Sequence, residues 1–302
     1  MANVCRTGGA HATTVIRSSR RSSSRRVWAR AWHEIAPRSH ETTGLSRYTH
    51  WAILEGQVFG GRRRITSGII LLDWDGTVRP GFTILDWVRF LATRHVVAQR
   101  LVENIEGLLD AWSRGEIDYD TLAVSSAESY ALGLKGLRVS SIVKQAESFH
   151  QEDRMRIWSA MGSILRYFKA GCLETIVISG APAHILSLYQ REYGFSSIYA
   201  LQIGECGGRL DGVVESNPGC YSGKEDAVRQ ILALPTSRVI AAFGNSKGDQ
   251  PMFAASKISV VVGAPTLLGS RWTYHLNPEE GMPGSERITG RILTVIEEEA
   301  AQ

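Results

Sequence analysis

Asp73 and Asp75 stand one residue apart at the end of the aliphatic run Ile69-Ile70-Leu71-Leu72, and Gly76 follows at once. Acids this close repel each other, and neither is tolerated in a core without a partner, so the pair calls for a cation. Other polar residues follow aliphatic runs in the same way. Ser179-Gly180 follows Thr175 to Ile178, Asn245 and Asp249 follow Val239 to Phe243, and Lys224 opens an intervening helical pattern. Hard oxygen donors suit Mg2+. A lysine and a hydroxyl beside such an ion suit the non-bridging oxygens of a phosphoryl group.

These residues need elements that bring them to one place. Ile69 to Leu72, bounded by Gly68 and Gly76, has the length and composition of a strand covered on both faces. Thr83 with Asp86 three residues on resembles a helix cap, and Ile84, Trp87, Val88 and Leu91 continue at helical spacing. Residues 83–170 are expected to be almost wholly helical, with breaks near 113–118 and 133–136. A second strand over Glu174 to Ile178 and a helix from Ala183 to Tyr193 follow. Residues 198–214 predict a hairpin turning at Gly207-Gly208. Strands over Val239 to Phe243 and Ile258 to Val262 complete the pattern. Strands alternating with helices predict a parallel α/β sheet, in which ligands sit at the carboxyl ends of the strands.

The aromatic and histidine residues have plainer readings. Strand alternation turns Trp74 away from its two neighbouring aspartates and into packing. Trp87, Trp112 and Trp158 read as core of the helical segment, and His184 as an ordinary helix residue.

Composition bounds the remaining classes. The chain has 302 residues, 43% hydrophobic and 21% charged, as ordinary globular proteins do. Its net charge of +4 is divided unevenly. Residues 1–67 hold 12 Arg, no Lys and three acids, a balance of +9, whereas the rest hold 22 basic and 27 acidic groups, a balance of −5. The globular part is therefore not a nucleic-acid binder on its charge. No apolar run approaches the roughly 18 residues of a membrane helix, and no membrane partner is expected. The four cysteines show no metal-ligand spacing, and reduced thiols in the cytoplasm are expected. Residues 1–67 are expected to be an Arg- and Ser-rich leader without fixed structure; a transit peptide or a basic arm for RNA or anionic lipid are the other readings. Oligomeric state is not legible.

Asp-Trp-Asp-Gly-Thr-Val at 73–78, Ser179-Gly180, Lys224 and Gly-Asn-Ser-Lys-Gly-Asp at 244–249 resemble, in order, the four motifs of the haloacid dehalogenase superfamily. The likeness covers roughly residues 68–265. The helical segment between the first two motifs makes it similar to the phosphoserine-phosphatase-like branch. It implies a Rossmann-like three-layer α/β core over 68–82 and 171–302, with an α-helical cap inserted at 83–170. It also implies a Mg2+-dependent phosphatase acting on a small phosphate monoester. Asp73 would be the nucleophile and Asp75 the general acid and base. Ser179, Gly180 and Lys224 would hold the phosphate. Asp73, Asp249, Asn245 and the backbone carbonyl of Asp75 would hold the metal.

Two departures from the family pattern stand out. Asn245 occupies a position where many relatives have aspartate, so the metal site loses one negative charge. Phe82 stands where phosphoserine phosphatases carry a glutamate that reads the substrate's ammonium, which makes phosphoserine a poor candidate. A phosphate-binding regulatory module with weakened catalysis, or a phosphotransferase using the same aspartyl-phosphate, are the alternative functions.

Overall fold

Successive side chains of a strand point to opposite faces, so four consecutive aliphatic residues can all be buried only beneath a layer on each side. In the computed structural model, which describes residues 68–171, 173–234, 238–263, 274–278 and 282–301, all four residues of β1 (Ile69–Leu72) are buried. The leader expected over 1–67 lies outside the described residues, which all fall in the unit Ser46–Gln302.

Five helices separate β1 from the next strand: α1 (Thr83–Thr93), α2 (Gln99–Ser113), α3 (Tyr119–Gly133), α4 (Val139–Asp153) and α5 (Ser159–Ala170). Then come β2 (Glu174–Pro182), α6 (Ala183–Tyr193), β3 (Ser197–Cys206), β4 (Arg209–Ser216), α7 (Tyr221–Leu232), β5 (Val239–Gly244), α8 (Gln250–Ala255), β6 (Ile258–Val262), β7 (Tyr274–Leu276) and α9 (Met282–Ala300). The strands form one sheet in the order β4-β3-β2-β1-β5-β6-β7. Every pairing is parallel except that of β3 with β4, the expected hairpin, which turns at Gly207-Gly208 with both glycines at positive φ.

The two faces of the sheet have separate covers. On one, Ile69, Leu71, Ile176 and Ile178 pack with Ala227, Val228 and Ile231 of α7 and Met252 of α8. Phe243 of β5 meets Phe168 of α5 at 5.8 Å between ring centroids. The result is a three-layer α/β core with a helical insertion after its central strand. Trp74 is fully buried against Tyr189 and Phe195, as its place in the strand pattern requires.

The inserted helices are tied to the β3–β4 hairpin by backbone hydrogen bonds. Gly136 N donates to Leu210 O at 2.7 Å, Leu210 N to Leu137 O at 3.0 Å, and Val139 N to Gly208 O at 3.1 Å. Breaks at 114–118 and 134–138 fall where the sequence predicts them.

Some expectations need correction. Trp112 is 37% exposed and so is not core; it lies edge-on to Phe82 and Tyr119. Thr83 does not cap its own helix, because its hydroxyl turns back to Asp75, and Asp86 pairs instead with Arg79 and Arg156. The helix carrying Lys224 begins three residues earlier than the charged run suggests, at Tyr221. β7 and α9 were not expected at all. His184 is buried beside Tyr130 and Trp87, where burial lowers its pKa to about 3 and keeps it neutral. No described helix is long and apolar enough to cross a membrane.

Candidate active site

Register brings the chemistry together. Leu72 pairs with Val177 on one side and with Phe243 on the other, so the chain beyond it leaves the sheet beside Ser179 in the later part of β2 and the end of β5. Asp73, Asp75, Ser179, Gly180 and Lys224 all line one cavity. Asp249 is wholly buried behind Lys224.

Asp73 is fixed from three directions. Its backbone N–H donates to Phe243 O at 3.0 Å, Thr77 Oγ1 donates to Oδ2 at 2.8 Å, and Lys224 Nζ donates to Oδ1 at 2.6 Å. The same ammonium donates to Asp249 Oδ1 and so bridges two carboxylates. The other oxygen of Asp249 accepts from Asn245 N, Ser246 N and Ser246 Oγ, which closes the loop after β5 as a reciprocal capping box. Burial and the nearby Asp249 push the Asp73 carboxyl up to about 7, against the opposing pull of Lys224. Burial alone would lower the pKa of Lys224, but Asp249 and Asp73 outweigh it and the ammonium is held charged.

Asp75 faces a different set. Its Oδ1 accepts from the backbone N–H of Thr83 at 3.0 Å and from the Thr83 hydroxyl, at the first turn of α1. Arg79, fully buried, lies 3.6 Å away and also reaches Thr83 Oγ1 at 2.9 Å, Asp86 at 2.5 Å and Asp153 at 3.0 Å. Burial raises the Asp75 carboxyl to about 6, while Arg79 and the Thr83 hydrogen bonds hold it back. Its surroundings thus favour a proton-carrying acid near neutrality, as proton transfer requires.

The floor of the cavity is backbone. Ser179 is buried and its hydroxyl accepts from Ala181 N at 3.1 Å. Gly180 abuts Gly219: a Cβ on Gly180 would lie 2.9 Å from the Cα of Gly219. Asn217 holds that second loop by accepting from Gly219 N at 3.0 Å, and its amide donates to Ala123 O of α3 at 3.1 Å. The aspartate turn depends on Gly76, whose φ is +76° and whose Cβ position lies 1.8 Å from Asn245 Nδ2. Gly76→Ala is therefore expected to displace Asn245 and strain the turn, cutting kcat/KM at least about tenfold through misplacement of the aspartates. Steady-state kinetics beside a melting curve checks this.

All seven residues singled out from the sequence cluster here, though in two groups. Asp73, Asp75, Ser179, Gly180 and Lys224 face the cavity, whereas Asp249 and Asn245 support its rim from the loop after β5. Sequence reading missed Arg79, Tyr119, Asn217 and Gly219. Arg79 had a signal, a cation four residues past an acid that needs a counter-charge. Tyr119 reaches the site from α3, with its ring beside Gly248, and burial raises its phenol pKa so that it stays neutral. Nothing local to Tyr119 announces that approach.

The donors Asp73, Asp249 and Asn245, with the Asp75 carbonyl, are all hard oxygens. Two buried carboxylates face the single ammonium of Lys224, a local balance that one more cation would complete. Among the described residues no cluster of three or more His, Cys, Asp and Glu side chains is arranged for a metal, which agrees with the Asp75 side chain turning to Thr83.

No curated protein matches this chain. Among solved structures, a protein of unknown function from Bordetella pertussis Tohama I superposes with a TM-score of 0.56 at 18% identity, covering 67% of this chain and 93% of that one. A phosphoserine phosphatase solved as a phospho-aspartyl intermediate analogue gives 0.51 at 17% identity, over 69% and 92%. Cytosolic 5′-nucleotidase IIIB bound to cytidine gives 0.53 at 12% identity, over 76% and 86%. At such identities the likeness is one of fold, here a fold that phosphatases use. The family model for haloacid dehalogenase-like hydrolases matches residues 70–254. With its motifs at the carboxyl edge of the sheet, this chain belongs to that hydrolase family.

Proposed function

We propose that the protein is a Mg2+-dependent phosphatase that hydrolyses a small phosphate monoester through an aspartyl-phosphate on Asp73. One observation carries the reading: Asp73 and Asp75 from the turn after β1, Ser179 from β2 and Lys224 from α7 line a single cavity. The residues of 83–170 act as a cap over a core made of 68–82 and 171–302.

In the first step an Asp73 oxygen attacks phosphorus while the ester P–O bond breaks, and Asp75 gives its proton to the departing alkoxide. In the second, Asp75 takes a proton from water as the water oxygen attacks phosphorus. The bond to Asp73 breaks and inorganic phosphate leaves. Lys224 offsets the repulsion between the Asp73 carboxylate and the incoming phosphate, and Ser179 with the Gly180 N–H holds its oxygens. Asp73, Asp249, Asn245 and the Asp75 carbonyl would hold Mg2+, which supplies charge neutralisation at the phosphoryl oxygens when bound. The exposed Cys206 and the buried Cys220 are both free thiols, which suits work in the cytoplasm.

The pKa directions give a pH profile. The first step needs Asp73 ionised and Asp75 protonated. Asp73, raised to about 7, loses competence as pH falls; Asp75, raised to about 6, loses its proton as pH rises. A fall in kcat/KM above about pH 6, as Asp75 loses its proton, is expected, while a cation on the Asp73 carboxylate moves the acid limb below its metal-free position. A flat profile from about pH 5 to 8 would contradict these roles. The direct assay is release of phosphate from an aryl phosphate with Mg2+ and with chelator; turnover indifferent to the chelator would remove the metal from the mechanism.

A further inference from the structure

The cavity has two unlike halves. Its phosphate end holds Asp73, Asp75, Lys224, Ser179 and Gly180, and these include every charged residue of the lining. The other half, where the leaving group must lie, is walled by Phe82, Ile84, Ile105, Leu109, Leu122 and Leu201. Its hydroxyl comes from Ser126 and has no hydrogen-bond partner among the described residues, whereas the Tyr119 ring lies beside Gly248, toward the charged end. The amide of Asn217 also lines the cavity, but both of its ends are occupied by Gly219 N and Ala123 O.

We infer that the substrate is the phosphate monoester of an uncharged, predominantly apolar alcohol, because the charged catalytic end of the cavity adjoins an aliphatic and aromatic wall with no charged side chain. This rests on the phosphatase reading and narrows it to a substrate class. An ammonium, a carboxylate or a second phosphate on the leaving group would be carried into this half without a counter-charge, and an unpaired buried charge is strongly disfavoured. An alkyl chain or a ring gains by leaving water there. Ser126 leaves room for one hydroxyl or carbonyl on the alcohol.

The test compares alkyl esters, so that the leaving alcohols differ little in acidity: hexyl phosphate and 2-naphthylmethyl phosphate against O-phosphoserine and O-phosphoethanolamine. The apolar esters are expected to exceed the charged ones in kcat/KM by at least about 100-fold, as loss of a charge partner in a closed site does. Leu109→Glu, at a half-buried position of the wall, is expected to cut hexyl phosphate turnover and raise that of O-phosphoethanolamine, narrowing the ratio at least about tenfold. Equal or reversed preference in the wild type would overturn the inference. A separate arm measures calorimetric affinity for hexylphosphonate and 2-aminoethylphosphonate, which need no chemistry. If no ester is hydrolysed but hexylphosphonate binds more tightly, the phosphatase reading fails and the pocket assignment stands. If 2-aminoethylphosphonate binds as well or better, the pocket assignment fails whatever the turnover.

Discussion

Asp73→Asn is expected to reduce phosphate release by at least about 10⁴-fold while making the metal-free protein more stable, because the residue that performs the attack is also a buried charge. The carboxyl is 5% exposed and its pKa is raised from 3.8 to about 7, chiefly by burial. A carboxyl raised on folding favours the folded state when protonated; its contribution is complete below the unfolded value and is lost as pH rises through the folded one. At pH 8 the wild type therefore carries an ionised group that folding disfavours, and the amide removes that cost. A rise of roughly 3–6 °C in Tm, from about 1–2 kcal/mol, is expected in chelator. Added Mg2+ should reverse the order, raising the wild-type Tm more than the variant's. Turnover that survives the substitution would refute the nucleophile; equal melting curves in chelator would refute its electrostatic description.

The second large effect belongs to Lys224. Its ammonium, 3% exposed, is the shared partner of Asp73 and Asp249. Lys224→Met keeps the stem and removes the charge, leaving two buried carboxylates opposed. We expect a loss of about 3–5 kcal/mol at pH 8, the usual consequence of orphaning a buried ion, together with loss of turnover. The penalty should shrink as pH falls toward 5. Without Lys224 the Asp73 carboxyl is raised further, so it is neutral there and no unpaired charge remains on it. Urea denaturation at the two pH values reads both quantities, and a penalty independent of pH would show that lost packing dominates. Lys224→Arg is not expected to rescue, since a planar guanidinium does not fit a pocket shaped around a point charge.

What the sequence made legible was the part of the structure governed by local pattern. Short aliphatic runs bounded by glycine and followed by a polar residue (Asp73, Ser179, Asn245) read as buried strands meeting a ligand edge, so β1, β2 and β5 and the convergence of Asp73, Asp75, Ser179, Gly180 and Lys224 on one cavity were legible in advance. The glycines carried further information, since Gly76 and Gly180 sit where a Cβ would strike Asn245 or the Gly219 backbone. The rest depends on tertiary approach. Tyr119 opens a helix nearly fifty positions from the first motif and reaches the site where α3 is tied through Asn217, and through Asp120 to Tyr221 N, to the chain at the start of α7. Arg79, whose spacing from Asp75 hinted at a counter-charge, is shown as one only when Asp75, Asp86 and Asp153 are found around it. The Thr83–Asp86 pattern matched a capping box, yet both side chains are claimed by stronger partners, the Asp75 carboxylate and the Arg79 guanidinium. Trp112, apolar and in helical phase, is exposed because its helix face borders solvent beside Phe82.

The measurement closest to the central claim is mass spectrometry of the protein acid-quenched during turnover of an alkyl phosphate in Mg2+. A phosphoryl group on the peptide containing Asp73, removed by hydroxylamine and absent from Asp73→Asn, is the predicted result. Rapid turnover with the phosphoryl group on another residue, or sustained turnover by Asp73→Asn, would contradict it.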